Sequence, residues 1–133
     1  MGSDRRLGMS KITLLIAHAS REEKSNRDFL RLVDVFSKKN KETAVVGAFL
    51  ELAKPLIPQG IDRCVEQGAS DIFVVPLMFF EGRHVKEDIP KQIDEGRLRH
   101  PGVHFHYAGA MANDPAFLEF LEIHIRSGIR ENP

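Results

Sequence analysis

Cysteine is nearly absent from the sequence. Cys64 is the only one in 133 residues, so no disulfide can form within the chain, and a closed zinc site built on several thiolates is excluded with it. A lone thiol set in an apolar helical pattern fits a reducing cytoplasm. Net charge is missing as well. Lys and Arg number 19 and Asp and Glu number 19, which removes bulk attraction to nucleic acid or to an anionic membrane and leaves room for a locally basic cleft. No apolar run approaches the ~20 residues of a spanning helix, and Met1 to Gly8 lacks the apolar stretch of a signal peptide. There is no phosphate-cradling lysine loop and no Gly-x-Gly-x-x-Gly after the first apolar run, so the common nucleotide sites are disfavoured. No Gly-x-Ser-x-Gly elbow marks a hydrolase, and the acidic cluster of a phosphoacceptor site is lacking.

What is present suits one domain. Residues 1–10 read as a disordered lead-in or expression remnant, and residues 11–133 as a single domain. Ile12 to Ala17 is a short, partly β-branched apolar run, expected as a strand buried on both faces. A helix follows with Phe29, Val33 and Phe36 on one stripe and Leu32 beside it; Ser20…Glu23 and Ser25…Asp28 each offer a capping pattern for its start. Ala44 to Leu50 is the second strand. The next helix opens near Pro55, turns Ile57, Ile61, Cys64 and Val65 inward, tolerates Pro58 in its first turn and stops at Gly68. Asp71 to Leu77 is the third and most apolar strand. Val85, Ile89 and Ile93 then recur at helical spacing, with Pro90 implying a broken or late start and Asp88 a cap. Val103 to Ala108 is the fourth strand. Asp114-Pro115 caps a last helix whose Phe117, Leu118, Leu121 and Ile125 are expected to face inward.

Four strands alternating with four helices predict an α/β fold with a parallel sheet and helices on both faces. The expected spatial order is the flavodoxin-like 2-1-3-4, with a ligand beyond the carboxyl ends of the strands at the switch between strands 1 and 3. His18 directly follows strand 1, Glu51 directly follows strand 2, and His84 lies in the loop after strand 3, seven residues past Leu77. With that strand order all three gather at one rim. Two imidazoles and a carboxylate form a borderline donor set for Co²⁺, Ni²⁺, Fe²⁺ or Zn²⁺. A neutral imidazole can ligate a metal or accept a proton. Each residue alone also has an ordinary reading as a loop or cap residue; the convergence of the three carries the metal-site expectation.

The remaining candidates are weaker. His104 and His106 share one face of strand 4, a spacing open to metal but also ordinary for an edge strand facing water. His100 lies beside that strand, and His124 reads as a boundary residue of the last helix. Met78, Phe79 and Phe80 offer an apolar wall for a flat ring, or core and dimer contacts. Ser20 lies close to His18 in sequence but is not expected to point with it.

Several stretches resemble a known family: Phe49-Leu50-Glu51-Leu52-Ala53-Lys54-Pro55, Ile61-Asp62-Arg63 through Glu66-Gln67-Gly68-Ala69, Val75-Pro76-Leu77 and, most specifically, Gly82-Arg83-His84-Val85-Lys86-Glu87-Asp88-Ile89-Pro90. These are similar to the small class II chelatases, the CbiX-type sirohydrochlorin cobaltochelatases with their SirB iron and archaeal nickel relatives, from about Lys11 to Leu121. The resemblance implies a four-stranded parallel lobe and, at this length, a homodimer around a shared cleft. It also implies insertion of a divalent ion into a carboxylate-rich tetrapyrrole of the sirohydrochlorin type, as in cobalamin biosynthesis. The family's metal-binding histidines map onto His18 and His84, and an acidic ligand maps onto Glu51. No organic cofactor is implied. The metal is a substrate, Co²⁺ by the precedent of the short members, with Ni²⁺ and Fe²⁺ as alternatives. Where the family usually has Gly-His-Gly-Ser, this chain has Ala17-His18-Ala19-Ser20, and alanine takes positive φ less freely than glycine.

The expected chemistry is loss of two pyrrole protons with stepwise exchange of the ion's ligands for ring nitrogens. His18 and His84 would hold the ion, one of them accepting a proton, and Glu51 would complete the site or relay protons. Ser20, Arg21, Lys54, Arg83 and Lys86 flank the motifs and would meet the substrate's carboxylates. A non-enzymatic metal or tetrapyrrole carrier using the same rim, and a flavodoxin-shaped interaction module with an empty rim, are the rivals from other classes.

Overall fold

A computed structural model describes residues 10–40 and 42–132. Residues 1–9 of the expected lead-in lie outside the described residues. The last residue of that lead-in, Ser10, is buried, and its hydroxyl meets that of Ser70 at 2.6 Å.

β1 (Lys11–Ala17), β2 (Ala44–Phe49), β3 (Asp71–Pro76) and β4 (His104–Tyr107) form one parallel sheet in the order β2-β1-β3-β4. α1 (Glu23–Lys39), α2 (Ile57–Glu66), α3 (Ile89–Arg99) and α4 (Pro115–Glu131) alternate with them, as the alternation of apolar runs and amphipathic stretches predicts. β1 lies at the centre because its residues are apolar on both faces. Ile12, Leu14 and Ile16 meet the larger core with Ile57, Ile61, Cys64, Ile89 and Ile93 from α2 and α3, while Leu15 joins Phe29, Val33 and Phe49 in a smaller cluster under α1. α2 can approach closely because its fourth residue is Gly60: a Cβ there would sit 2.9 Å from both Ala48 Cβ and Leu14 Cδ1. Cys64 is completely buried, and burial pushes its thiol up to about 12, so it behaves as a small core hydrophobe.

Three expectations are corrected. α1 begins at Glu23, with neither serine capping it; Glu22 occupies the cap position without a side-chain bond, and Ser20 Oγ accepts the Glu22 N–H at 3.0 Å one step earlier. Of its expected stripe only Phe29 and Val33 are buried, whereas Leu32 and Phe36 stay exposed because the cluster beneath this helix is small. The third correction concerns α4. Asp114 accepts the Ala116 N–H at 2.9 Å as the predicted cap, yet no residue of α4 is buried, and Leu118, Leu121 and Ile125 are exposed. A short 3₁₀ turn, Met111–Asn113, precedes α4, and the helix does not bring its apolar face onto the sheet. The face of the sheet that carries α1 is therefore only half covered: Phe73 and Val75 of β3 are half-buried, and His104 and His106 of β4 are exposed.

Candidate metal centre

The parallel ladder runs past the strand ends. The Leu50 N–H donates to the Ala17 carbonyl at 2.9 Å and the Leu77 N–H to the Ile16 carbonyl at 2.7 Å. These bonds hold the loops after β1, β2 and β3 side by side at the carboxyl edge, where the strand order reverses. His18 leaves β1 at this edge. Ala19 turns the chain with φ of 82°, and Asn26 clamps the turn from α1: the Ser20 N–H donates to Asn26 Oδ1 at 2.7 Å and Asn26 Nδ2 donates to the Ser20 carbonyl at 2.8 Å.

His84 arrives differently from the expected loop position. It opens a π-helical turn, His84–Asp88, that runs into α3. Pro90 accounts for the widened turn, because its ring clashes with a carbonyl four residues back and it brings no N–H. The Ile89 N–H bonds instead to the His84 carbonyl, five residues back. The Val85 carbonyl, which a donor at position 90 would otherwise serve, accepts the Tyr107 hydroxyl at 2.7 Å. Burial and the Glu81 carboxylate push that hydroxyl up to about 12.

The outcome is a meeting of two rings carried by different loops. The centroids of His18 and His84 lie 4.7 Å apart with their planes at 73°. His18 is exposed and His84 half-buried. His84 Nδ1 donates to Asp88 Oδ2 at 2.6 Å, whereas His18 makes no hydrogen bond among the described residues. Glu51 is exposed in the loop after β2. Among the described residues no three His, Cys, Asp or Glu side chains are gathered closely enough to hold an ion, so the pair of imidazoles stands without a preassembled third donor.

Ser20, Arg21 and Lys54, with Arg27 and Leu52, line a cavity of about 560 Å³ between the loops after β1 and β2. Arg83 and Lys86 are exposed on either side of His84. None of Arg21, Lys54, Arg83 and Lys86 makes an ion pair among the described residues. Phe79 and Phe80 are exposed after β3, Phe79 packing 5.6 Å from Phe117. Of the other four histidines, three are engaged elsewhere. His106 stacks on Phe73 and meets Asp71 at 3.0 Å, holding that carboxyl below its usual range, and His100 does the same to Asp62 at 2.9 Å. His124 is exposed and stacks on Phe120. Asp88 departs from the helix-cap role that its place in the sequence predicts. It lies in helical conformation and caps nothing; the i, i+4 spacing from His84 was the available signal of its real partner.

Comparison with known proteins identifies the family and the fold. The CbiX family model matches residues 12–127. The chain is 33% identical over 119 residues to a sirohydrochlorin cobaltochelatase of Priestia megaterium, covering 87% of this chain and 38% of that protein. It is 34% identical over 109 residues to a sirohydrochlorin ferrochelatase of the same organism, covering 81% and 41%. The chain thus spans about two fifths of the length of these curated relatives. The sirohydrochlorin chelatase SirB from Bacillus subtilis subspecies spizizenii, solved in complex with cobalt, superposes with a TM-score of 0.72 at 31% identity, over 77% of this chain and 44% of that one. A CbiX protein from Marinobacter aquaeolei VT8 shares the fold with a TM-score of 0.76 at 24% identity, over 91% and 96%.

Proposed function

The chain belongs to the CbiX family, and from that premise we propose that it inserts a divalent metal ion into a tetrapyrrole of the sirohydrochlorin type. The observation that carries the reading is the approach of His18 and His84 to 4.7 Å at the carboxyl edge of the sheet. Two imidazoles grip an ion without enclosing it, and insertion needs a donor set open enough to release the metal to four ring nitrogens. The ion enters as substrate, bound on one side of the macrocycle by the two rings. An imidazole freed as the ion moves accepts a pyrrole proton, a contribution typically worth about 10²–10⁴-fold. Glu51, exposed on the same rim, completes the ion's shell as it binds or passes protons outward. The unpaired cations Arg21, Lys54, Arg83 and Lys86, with Ser20, receive the acetate and propionate groups.

Co²⁺ is the proposed metal. Fe²⁺ and Ni²⁺ accept the same donors, and relatives of this chain are named for cobalt and for iron. The reading takes the reaction to be cytoplasmic, in keeping with one unpaired, buried cysteine; no helix among the described residues is long and apolar enough to cross a membrane. It also takes the working unit to be a homodimer with a shared cleft. The exposed apolar residues of α4 and the half-covered sheet face on the same chain support this, since one symmetric contact buries both twice.

The test is an absorbance assay of sirohydrochlorin with Co²⁺, Fe²⁺ and Ni²⁺ in turn, corrected for spontaneous insertion. Multiple turnovers with Co²⁺, lowered at least 10²-fold in His84→Ala, are expected. An unchanged rate in that variant contradicts the mechanism, and stoichiometric binding without turnover assigns the rim to a carrier.

A further inference from the structure

The two histidines are held unequally. His18 has no hydrogen-bond partner among the described residues, while His84 is fixed by main chain and side chain within one turn. Its carbonyl accepts the Ile89 N–H and its Nδ1 donates to Asp88 Oδ2 at 2.6 Å. An ionised carboxylate only accepts hydrogen bonds, so this contact requires the proton on Nδ1 and leaves the lone pair on Nε2. The neutral imidazole side chain in water prefers the opposite arrangement, with the proton on Nε2. Without a partner, the ring would carry its proton mainly on the atom that the carboxylate contact leaves open.

The backbone explains why Asp88 is available for this. An aspartate just before Ile89-Pro90 would ordinarily sit in extended conformation and cap the first turn of α3. Asp88 instead has φ −67° and ψ −48° and makes no capping bond. The π-helical turn continues through it, so its carboxylate reaches back one turn to the ring. The same turn is anchored from β4 by the Tyr107 hydroxyl on the Val85 carbonyl, which keeps the His84–Asp88 geometry on a supported element.

We infer that Asp88 is a positioning residue of the metal centre: it locks His84 in the Nδ1–H tautomer and aims Nε2 at the incoming ion. The inference rests on the reading that His84 ligates the substrate metal. Asp88 touches neither ion nor macrocycle, and its effect passes through the ring. Carboxylates behind metal-binding histidines act in this way by fixing orientation and raising ligand basicity.

Three variants test it: Asp88→Ala, Asp88→Asn and His84→Ala. The asparagine carbonyl accepts from Nδ1–H and retains the tautomer, and because the Asp88 side chain is 42% exposed and caps no helix, both substitutions leave the packing intact. Proton–nitrogen correlation spectra of the neutral rings report the tautomer directly, without metal. The parent and Asp88→Asn are expected to show His84 as Nδ1–H, and Asp88→Ala to move it towards Nε2–H. Calorimetric titration with Co²⁺ is expected to show affinity weakened about 10–100-fold in Asp88→Ala and at least partly restored in Asp88→Asn. A parental tautomer in Asp88→Ala overturns the inference whatever the metal does. A shifted tautomer with parental Co²⁺ affinity, where His84→Ala loses affinity, also overturns it. Parental Co²⁺ affinity in His84→Ala sinks instead the underlying reading of His84 as a ligand, and the spectra alone then decide whether Asp88 sets the tautomer of the ring.

Discussion

Ala19 holds φ of 82° directly after His18, a left-handed conformation that costs an L-residue about 1–2 kcal/mol. The strain persists because Asn26 grips both backbone groups of Ser20 and leaves the turn no other path. This makes the motif's departure from Gly-His-Gly-Ser a measurable cost. Ala19→Gly removes the strain and gives back about 0.4–1 kcal/mol of unfolded-state entropy, for an expected net gain of about 0.5–1 kcal/mol in urea unfolding; a destabilised variant contradicts the strain. Single residues were legible in the sequence when a motif or a strand end placed them. His18 and His84 meet as the strand order requires. Asp88 was hidden because an aspartate before Ile-Pro reads as a cap, and only the widened turn brings its side chain to His84.

At the scale of elements, every strand appeared where an apolar run predicted it, with ends shifted by a residue or so, because burial on both faces of a central strand leaves little else for such runs to do. The π-helical turn was not legible. Pro90 announced an interruption, but whether the helix breaks, starts late or widens depends on who serves the stranded carbonyl, and that donor comes from β4, a distant part of the chain. Tyr107→Phe removes it and is expected to cost about 1 kcal/mol of stability at neutral pH. The pH dependence follows from the raised hydroxyl. The folded state prefers the neutral phenol, so its contribution is whole below the ordinary 10.0 and fades as pH rises towards about 12. The stability difference between parent and Tyr107→Phe should therefore narrow across that range in urea titrations at stepped pH; a difference that widens refutes the assignment.

For the whole molecule, the sheet order was legible and with it the rim where the histidines meet, since alternating strands and helices admit few arrangements. The position of α4 was not. Periodicity says that a helix face is to be buried, and is silent on whether the burying surface belongs to the same chain. Leu118, Ile125 and Ile129 are 63%, 52% and 63% exposed, a contiguous apolar face of the kind that marks an interface. If a second copy covers it, Leu118→Glu with Ile125→Glu converts a dimer to a monomer in light scattering and lowers metallation, whereas a parent that is monomeric and fully active contradicts the shared cleft. The claim beneath all of this is that His18 and His84 grip one ion together. X-ray absorption at the cobalt edge of the Co²⁺-loaded protein measures that directly. Two imidazoles in the shell of each bound ion, falling to one in His18→Ala and to one in His84→Ala, is the expected result; a shell that keeps the same imidazole count in either variant would contradict it.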